Sequence, residues 1–253
     1  MKMKTAVVTG ASSGMGREMV YELADRFGGL EEIWVIARRK ERLDEFDGNL
    51  PVRVRKFALD LTAESDLRIL DAALKKEKPD VRILANAAGF GISGAVGTIP
   101  KEQETGMVDL NVKALIAVTE LVLPYISANS RIIQFASAAA FMPQPGFAVY
   151  AATKACVLSY SRALAAELSN RQIFVTAVCP GPVDTEFFDT ALRGKTLAPY
   201  KRLFLMKPRA VVRGALSDSM KGKQVSVPGI PMKLFYVLCR LIPHSLLMRF
   251  ITW

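Results

Sequence analysis

Short apolar runs alternate along the chain with longer stretches in which apolar residues recur every three or four positions. The short runs predict buried strands, and the longer stretches predict amphipathic helices. The predicted strands are residues 5–9, 32–37, 53–59, 81–85, 131–136 and 174–178, with 224–227 as a candidate seventh. The predicted helices are residues 16–27, 63–76, 101–123 and 148–169.

This alternation predicts an α/β fold with a parallel sheet covered by helices on both faces. No internal repeat or linker interrupts the order, and 253 residues suit one domain better than two. We therefore expect one doubly wound, Rossmann-like domain with a seven-stranded parallel sheet over residues 1–229. An apolar and basic helical extension of the same domain is expected over residues 230–253.

Composition narrows the chemistry that this fold can carry. The chain has one histidine, His244, and three cysteines, none of them in a C-x-x-C pair. Such few and scattered ligands argue against a zinc site, so we expect no metal. The free thiols indicate a reducing, cytoplasmic environment. The first residues lead directly into a predicted strand without an apolar leader, so we also expect no signal peptide.

The formal net charge of +10 suits a phosphorylated ligand, an anionic membrane surface or nucleic acid. The cations are spread along the chain and form no run interleaved with aromatic residues. We therefore expect no nucleic-acid binding. A solvated basic surface is the simplest alternative.

A glycine-rich turn joins the first predicted strand to the first predicted helix. It reads Gly10-Ala11-Ser12-Ser13-Gly14-Met15-Gly16. Glycine lets the backbone approach a pyrophosphate closely, and the helix N-terminus behind the turn offers unpaired N–H groups. The serine hydroxyls add further donors. In its strand–turn–helix setting, the turn predicts a dinucleotide site.

The end of the second predicted strand bears on which dinucleotide binds. NAD enzymes usually place an acid there to hold the ribose hydroxyls. This chain has Ala37 followed by Arg38 and Arg39, which suits the 2′-phosphate of NADP. We therefore expect NADP (NADPH) rather than NAD, and the alternative is an arginine pair that only faces solvent.

Tyr150 and Lys154 are four residues apart in a predicted helix, so they share one face. A nearby ammonium favours the phenolate, so we expect Lys154 to lower the pKa of Tyr150 and fit it for proton exchange with a carbonyl or alcohol oxygen. Ser137 ends the fifth predicted strand, where it is placed to hold the substrate oxygen. Asn111 lies in the long predicted helix, where a cap or a kink is the simple interpretation.

Taken together, these residues resemble the short-chain dehydrogenase/reductase family in its single-domain branch. The resemblance runs from residue 4 to about residue 229. The family's glycine motif matches Gly10, Gly14 and Gly16, its adenine-binding acid matches Asp60 followed by Leu61, and its strand-end motif matches Asn86, Ala87, Ala88 and Gly89. Its tetrad matches Asn111, Ser137, Tyr150 and Lys154, and its Pro-Gly loop matches Pro180, Gly181, Pro182 and Val183, followed by Thr185.

The resemblance implies an NADP(H)-dependent oxidoreductase that interconverts a ketone and a secondary alcohol, in the manner of a carbonyl reductase or hydroxysteroid dehydrogenase. It implies that Tyr150 is the acid/base, that Lys154 binds the nicotinamide ribose, that Ser137 polarises the carbonyl and that Asn111 holds a relay water. It also implies a homodimer or homotetramer. The alternatives are an NAD-linked alcohol dehydrogenase and a non-catalytic NADP-binding sensor.

The segment 185–208 fits no clear element and follows the sixth predicted strand, where a substrate lid lies in this architecture. Its apolar side chains favour a pocket for a bulky, lipid-like or steroid-like substrate, but packing of the lid onto the body explains them equally well. They are Phe187, Phe188, Leu192, Leu197, Tyr200, Leu203, Phe204, Leu205 and Met206.

Residues 230–253 read as two short amphipathic helices, because charged residues and Pro243 interrupt the apolar run before it could span a membrane. Three roles suit such a segment. It completes the pocket, forms a subunit interface or rests on a membrane surface as a peripheral contact.

Overall fold

The computed structural model describes residues 2–192, 194 and 202–250. Its strands form a seven-stranded sheet in the order β3-β2-β1-β4-β5-β6-β7, and every pairing is parallel. The strands are β1 Lys4–Thr9, β2 Glu32–Ala37, β3 Arg53–Ala58, β4 Asp80–Asn86, β5 Ile126–Phe135, β6 Phe174–Val178 and β7 Val225–Ser226. The order reverses between β1 and β4, which is where doubly wound sheets open a ligand crevice.

Helices cover both faces of the sheet. They are α1 Gly14–Arg26, α2 Lys40–Asp44, α3 Glu64–Glu77, α4 Lys101–Val108, α5 Leu115–Val122, α6 Ala148–Glu167, α7 Phe187–Leu192, α8 Pro208–Met220, α9 Ile230–Leu241 and α10 His244–Leu247. A π-helical segment, Asp109–Ala114, joins α4 to α5. None of the described helices is both long and apolar enough to cross a membrane.

Two apolar clusters hold the layers together. Successive residues of a strand face opposite sides of the sheet, so Val8 packs with α1 and α8 while Val7 packs with α3, α5 and α6. Both valines are fully buried, as are Leu23 of α1 and Leu74 of α3. This two-sided burial explains why the central strands β1 and β2 are nearly continuous apolar runs in the sequence, whereas the edge strand β3 is polar and only partly buried.

The predicted α/β fold and its seven-stranded parallel sheet are confirmed. The predicted helix 101–123 is interrupted by the π-helical segment, β5 begins at Ile126 and not at residue 131, and β7 has only two residues. The prediction that 185–208 contains no element was wrong, because α7 lies within it and α8 begins at its end. The two predicted tail helices are present as α9 and α10.

Some predictions concern residues outside the described part of the chain. These are Leu197 and Tyr200 of the segment expected to form a lid, and residues 251–253 of the tail. The boundary at residue 229 and the lid function of 185–208 stay predictions.

Candidate active site

A cleft of about 370 Å³ opens at the carboxyl edge of the sheet, beside the reversal of strand order. This volume lies in the range of small-molecule and cofactor sites. Its walls come from the β1–α1 turn, the ends of β2, β3 and β4, and the start of α7. The predicted cofactor residues that line it are Gly10, Ser12, Ser13, Gly14, Met15, Gly16, Arg38, Arg39, Asp60, Leu61, Ala87, Ala88, Gly89 and Thr185.

The β1–α1 turn needs glycine because of its backbone conformation and its close contacts. Gly10 has φ +68° and Gly14 has φ +51°, both in the left-handed region. A Cβ at Gly16 would overlap the carbonyl oxygen of Gly10. The turn ends at the N-terminus of α1, whose first N–H groups have no partner within the helix. This cradle, with two serine hydroxyls beside it, fits a pyrophosphate.

The ends of β1 and β4 are tied together at the floor of the cleft. The Thr9 hydroxyl accepts hydrogen bonds from the backbone N–H groups of Ala87 and Ala88, both at 3.1 Å. A Cβ at Gly10 would lie 2.7 Å from the nitrogen of Ala88, so the backbone of the two segments approaches too closely for a side chain at this position. Asn86, in contrast, points away from the cleft and donates to the Thr119 hydroxyl at 2.9 Å in the core.

The arginine pair lines the cleft where β2 ends. Arg39 contacts the Ser12 hydroxyl at 3.2 Å through Nη2 and the Glu186 carboxylate at 2.9 Å through Nη1. Arg38 is exposed, and its charge acts on Asp60. Burial opposes ionisation of Asp60, but hydrogen bonds from Thr62 together with the Arg38 charge outweigh it and lower the pKa of this carboxyl. The acid is therefore ionised at neutral pH.

Tyr150 and Lys154 lie on the buried face of α6, with 7% and 6% of their surface exposed. The Lys154 ammonium donates to the Phe135 carbonyl at 2.8 Å and lies 5.7 Å from the centre of the Tyr150 ring. A Cβ at Gly89 would lie 3.4 Å from Lys154 Nζ, so the lysine lies directly behind a glycine of the cleft wall. The predicted tetrad, Asn111, Ser137, Tyr150 and Lys154, does not line the cleft itself. Ser137 accepts a hydrogen bond from Ala139 N at 3.1 Å, and its side chain also interacts with the Tyr150 phenol.

The pKa of Tyr150 differs from the sequence-based expectation. Burial raises it to about 12, and the Ser137 hydrogen bond, which favours the phenolate, offsets only part of that rise. Burial also lowers the pKa of Lys154 to about 8. The expected lowering of the Tyr150 pKa by Lys154 is thus wrong for this arrangement, because removal of the phenol from water has the largest effect on its pKa and only the Ser137 hydrogen bond opposes it.

Asn111 lies in the π-helical segment and is completely buried. Its side-chain carbonyl accepts from Phe90 N at 2.9 Å, and its amide donates to Phe90 O at 2.8 Å and to the Thr153 hydroxyl at 3.1 Å. Asn111 therefore fixes the segment after β4 against α6. This arrangement holds Gly89 beside Lys154.

Aromatic rings and one glycine enclose Tyr150. Phe147 stacks on it with ring centres 4.3 Å apart, and Phe187 of α7 lies 5.4 Å away. A Cβ at Gly91 would approach Tyr150, Phe147 and Phe187 to within 2.7, 2.9 and 2.9 Å. The surroundings of the phenol are therefore apolar on the side away from Ser137.

The Pro-Gly loop follows β6 and connects three parts of the molecule. The Pro180 carbonyl accepts from Ala138 N at 2.8 Å, next to Ser137. A Cβ at Gly181 would lie 2.6 Å from the sulfur of Met232, so α9 packs directly on this loop. Val183 pairs with Met206, and Thr185 lies against the Gly14 position at 3.2 Å. Pro180, Gly181 and Val183 do not line the cleft itself.

Sequence reasoning missed several residues of this site. Glu186, which binds Arg39, carries no motif, and the two residues are 147 positions apart. Gly91 was detectable, because the run Gly89-Phe90-Gly91 ends a predicted strand. Among the described residues, no three His, Cys, Asp or Glu side chains gather into a metal site.

Comparison with known proteins gives a consistent result. The family profile described as short chain dehydrogenase matches residues 4–195. An uncharacterized oxidoreductase from Staphylococcus epidermidis is 33% identical over 187 residues, which cover 73% of this chain and 80% of the relative. Two solved structures, each 28% identical, have the same fold.

The first is a short-chain dehydrogenase from Sphingobium yanoikuyae in complex with NADPH, with a TM-score of 0.80 over 99% of this chain and 97% of that chain. The second is the bulky-bulky ketone specific alcohol dehydrogenase from Comamonas testosteroni, with a TM-score of 0.74 over 100% of this chain and 96% of that chain.

Proposed function

The chain belongs to the short-chain dehydrogenase family and is an NAD(P)-dependent oxidoreductase, and from that premise we propose that it is an NADPH-dependent reductase of bulky, hydrophobic ketones. The main support for the proposal is that Tyr150 is buried among apolar side chains, next to Ser137 and Lys154. In the reverse direction the same site oxidises the corresponding secondary alcohol.

The residues of the cleft fit a dinucleotide. The glycine turn and the N-terminus of α1 would hold the pyrophosphate, Asp60 the adenine, and Arg38 with Arg39 the 2′-phosphate. Lys154 would bind the nicotinamide ribose, and Thr185 lies where it would reach the carboxamide or pyrophosphate. The bound dinucleotide supplies the hydride that the carbonyl carbon receives.

Proton transfer falls to Tyr150. With a pKa of about 12, its phenol keeps its proton at neutral pH and can donate it to the carbonyl oxygen as that oxygen becomes an alkoxide. Ser137 would donate a hydrogen bond to the same oxygen and polarise the carbonyl. Lys154 would replace the proton through the relay water that the family resemblance assigns to Asn111. The neutral phenol is the form that reduction requires, whereas oxidation of an alcohol requires the phenolate.

The apolar surroundings of the phenol support the substrate class. Tyr150 shares a cluster with Ile92, Ile99 and Met107, to which Phe147 and Phe187 add two rings. A small charged substrate would have to lose its hydration among these apolar side chains. The fold shared with an alcohol dehydrogenase specific for bulky-bulky ketones agrees with this class. Activity that rises with the apolar bulk of the ketone would support it, whereas a preference for small, charged carbonyl compounds would contradict it.

The substitution Tyr150→Phe tests the mechanism, because it removes the hydroxyl and keeps the ring that packs on Phe147. We expect reduction of a bulky aryl ketone with NADPH to fall by about 10²- to 10⁴-fold, while NADPH binding followed by fluorescence is retained. Wild-type protein that binds NADPH but turns over no ketone or alcohol would favour a non-catalytic NADP-binding sensor. A preference for NADH would favour the NAD-linked alcohol dehydrogenase.

The cellular setting belongs to the same proposal. We infer a cytoplasmic protein, since the chain has three free cysteines, two of them buried. By family resemblance we infer a homodimer or homotetramer. Size-exclusion chromatography with light scattering gives the stoichiometry directly, and a purely monomeric species would contradict the oligomer.

A further inference from the structure

One face of α9 is anchored to the body of the protein. Cys239 is buried, and the Tyr236 hydroxyl accepts a hydrogen bond from Arg162 at 2.8 Å. Phe141 packs against Phe235 and Tyr236, with ring centres 6.2 and 4.6 Å apart. These contacts fix the rotation of the helix about its own axis. They therefore also fix which side chains face outwards.

The outward face is apolar. We call it the α9 face, and it consists of Ile230, Leu234, Val237, Leu238 and Leu241, with exposed fractions of 82, 61, 47, 37 and 75%. Their spacing of three and four residues makes one stripe along the helix. Contiguous exposed aliphatic side chains of this kind mark interaction sites on soluble proteins, whereas isolated ones do not.

A second apolar group lies beside the N-terminal end of α9. Leu203, Phe204 and Leu205 have exposed fractions of 82, 37 and 38%. Met206, which follows them, lies 3.1 Å from the Cβ position of Gly229, the residue before α9. The exposed apolar surface therefore continues from α9 onto the segment that follows α7.

The charges on α9 itself are all positive, and the nearby acid Asp218 of α8, whose pKa Lys233 helps to lower, is already paired with Lys223 at 2.6 Å. From Ser219 to Trp253 the sequence contains no aspartate or glutamate, but it contains three lysines and two arginines. Lys233 and Arg240 lie on one flank of the α9 stripe, and both are exposed. Within the described residues, neither of these two cations has a carboxylate oxygen within 4.0 Å. An apolar stripe with a cationic flank is the pattern of helices that lie in the surface of anionic membranes.

A second copy of the chain fits this surface less well. A helix of 12 residues is about 18 Å long, and a stripe about 10 Å wide on it offers roughly 200 Å², against about 800 Å² per partner in a stable complex. With Leu203, Phe204 and Leu205 the apolar surface has eight side chains, still fewer than the roughly 20–30 residues that each partner of a stable complex contributes. If the α9 faces of two copies met, their lysines and arginines would also come together, and the segment from Ser219 to Trp253 has no acid to pair with them. Anionic headgroups supply the missing charge, and acyl chains cover the aliphatic residues.

We propose that the α9 face docks on a membrane surface rich in anionic phospholipid, with α9 parallel to the membrane plane. The docked orientation follows from the anchored inner face and requires no rearrangement of the fold. Since Met232 of α9 contacts Gly181, docking brings the Pro-Gly loop within one helix diameter of the lipid. This proposal does not depend on the substrate class or on turnover.

The test uses the full chain and vesicles of phosphatidylcholine alone or mixed with phosphatidylglycerol, with binding measured by flotation. We expect binding to the mixed vesicles, weaker binding to neutral ones, and weakening by salt because the headgroup attraction is screened. The double substitution Leu234→Glu with Leu241→Glu should reduce binding at least tenfold. The matched control is Ile69→Glu with Val96→Glu, which changes two exposed aliphatic residues elsewhere and should leave binding unchanged.

Circular dichroism and ketone reduction with a water-soluble substrate verify that each variant is folded. Equal vesicle binding by the α9 variant and the control would overturn the proposal, as would the absence of binding by the wild type. If the α9 variant instead changes the oligomeric state in light scattering without affecting vesicle binding, the face is a contact between copies of the chain and the proposal is wrong.

Discussion

The guanidinium group of Arg39 bridges the two sides of the cleft, since it contacts Ser12 in the glycine turn and Glu186 at the start of α7. Arg42 adds a longer contact to the same carboxylate, at 3.6 Å. Glu186 therefore presents a negative charge to the cation that the 2′-phosphate of NADP would use. The phosphate and this carboxylate would then compete for Arg39.

The substitution Glu186→Gln should tighten NADPH binding, because it removes the internal competitor for Arg39. The ion pair is partly exposed, so its strength is about 0.4–1 kcal/mol, and the dissociation constant should fall about two- to fivefold. NADH binding should not change, since NADH has no 2′-phosphate. Glu41→Gln, which neutralises an exposed acid nearby, serves as the control in the same fluorescence titration. Equal gains for both cofactors would mean that Glu186 acts only through the general charge of the cleft.

The substitution Arg38→Ala tests the NADP preference from the opposite side. Loss of a charge-assisted hydrogen bond costs about 1.5–3 kcal/mol, so NADPH should bind at least about tenfold more weakly while NADH binding is kept. Lys40→Ala is the control, because Lys40 is exposed and paired with Asp44 at 2.7 Å. Unchanged NADPH affinity in the Arg38 variant would identify the arginine pair as surface charge.

The buried Lys154 should make the stability of the protein depend on pH. Its pKa falls from 10.5 to about 8 on folding, so between these values the unfolded chain binds one more proton than the folded one. The Lys154 contribution to the free energy of unfolding should therefore rise with pH from about 8 towards 10.5, and below pH 8 its full penalty remains, on the order of 3 kcal/mol. The buried thiols of Cys179 and Cys239, whose pKa values burial raises to about 12 and about 11, act in the opposite direction above pH 9. Because they do so in both proteins, the difference in stability between the wild type and Lys154→Met should isolate the lysine, and the wild type should gain relative to the variant as the pH rises. Denaturant titrations at pH 7.5 and 9.5 measure it, and parallel behaviour of both proteins would contradict the assignment.

The substitution Gly91→Ala should reduce ketone reduction by displacing Tyr150. The added methyl group would meet three aromatic rings at 2.7–2.9 Å, and a small shift of a catalytic group can lower the rate about 10²-fold. Gly214→Ala is the control, because its Cβ meets nothing within 4 Å. Since Gly214 lies within α8, the control should be more stable by about 0.5–1 kcal/mol. Full activity of the Gly91 variant would show that the rings of Phe147 and Phe187 can move aside without displacing Tyr150.

Glu22 of α1 binds α8 through a buried charge cluster. Its side chain is 1% exposed and contacts Arg26 at 3.0 Å, Arg209 at 2.8 Å and Arg213 at 2.9 Å. Glu22→Gln would leave these cations facing each other, so we expect a loss of about 2–4 kcal/mol in the free energy of unfolding. Burial opposes ionisation of Glu22, but the arginine contacts outweigh it and lower its pKa. The contribution of Glu22 to the free energy of unfolding should therefore be complete above pH 4.5 and be lost as the pH falls further. The Glu22→Gln variant should not show this loss.

The fold was predictable because most buried strands are short apolar runs separated by helical patterns. The turn from Gly10 to Gly16 needs only neighbouring residues to define it, and it lines the cleft as expected. The strand ends at Asp60 and Gly89 were assigned by family resemblance, and both line the cleft as well. Local sequence therefore determined most of the cofactor cleft.

The features of the site that the sequence did not predict depend on contacts between residues that are distant in sequence. No pattern near Glu186 indicates Arg39, and no pattern near Asn111 indicates its bonds to Phe90 and Thr153. The pKa of Tyr150 was predicted with the wrong sign because spacing on a helix reports the position of Lys154 but not the burial of both groups. Asn86 was assigned to the cofactor by motif, yet its side chain faces the core.

The π-helical segment Asp109–Ala114 amounts to one extra residue wound into an otherwise regular helix. Deleting one residue there would restore an uninterrupted α-helix of the usual pitch, and the residues before the deletion would rotate by about 100° relative to those after it. Asn111 would then be carried away from Phe90. The hydrogen bonds by which the Asn111 amide holds the segment after β4 therefore depend on the π-helical turn, and a more regular helix would lose them.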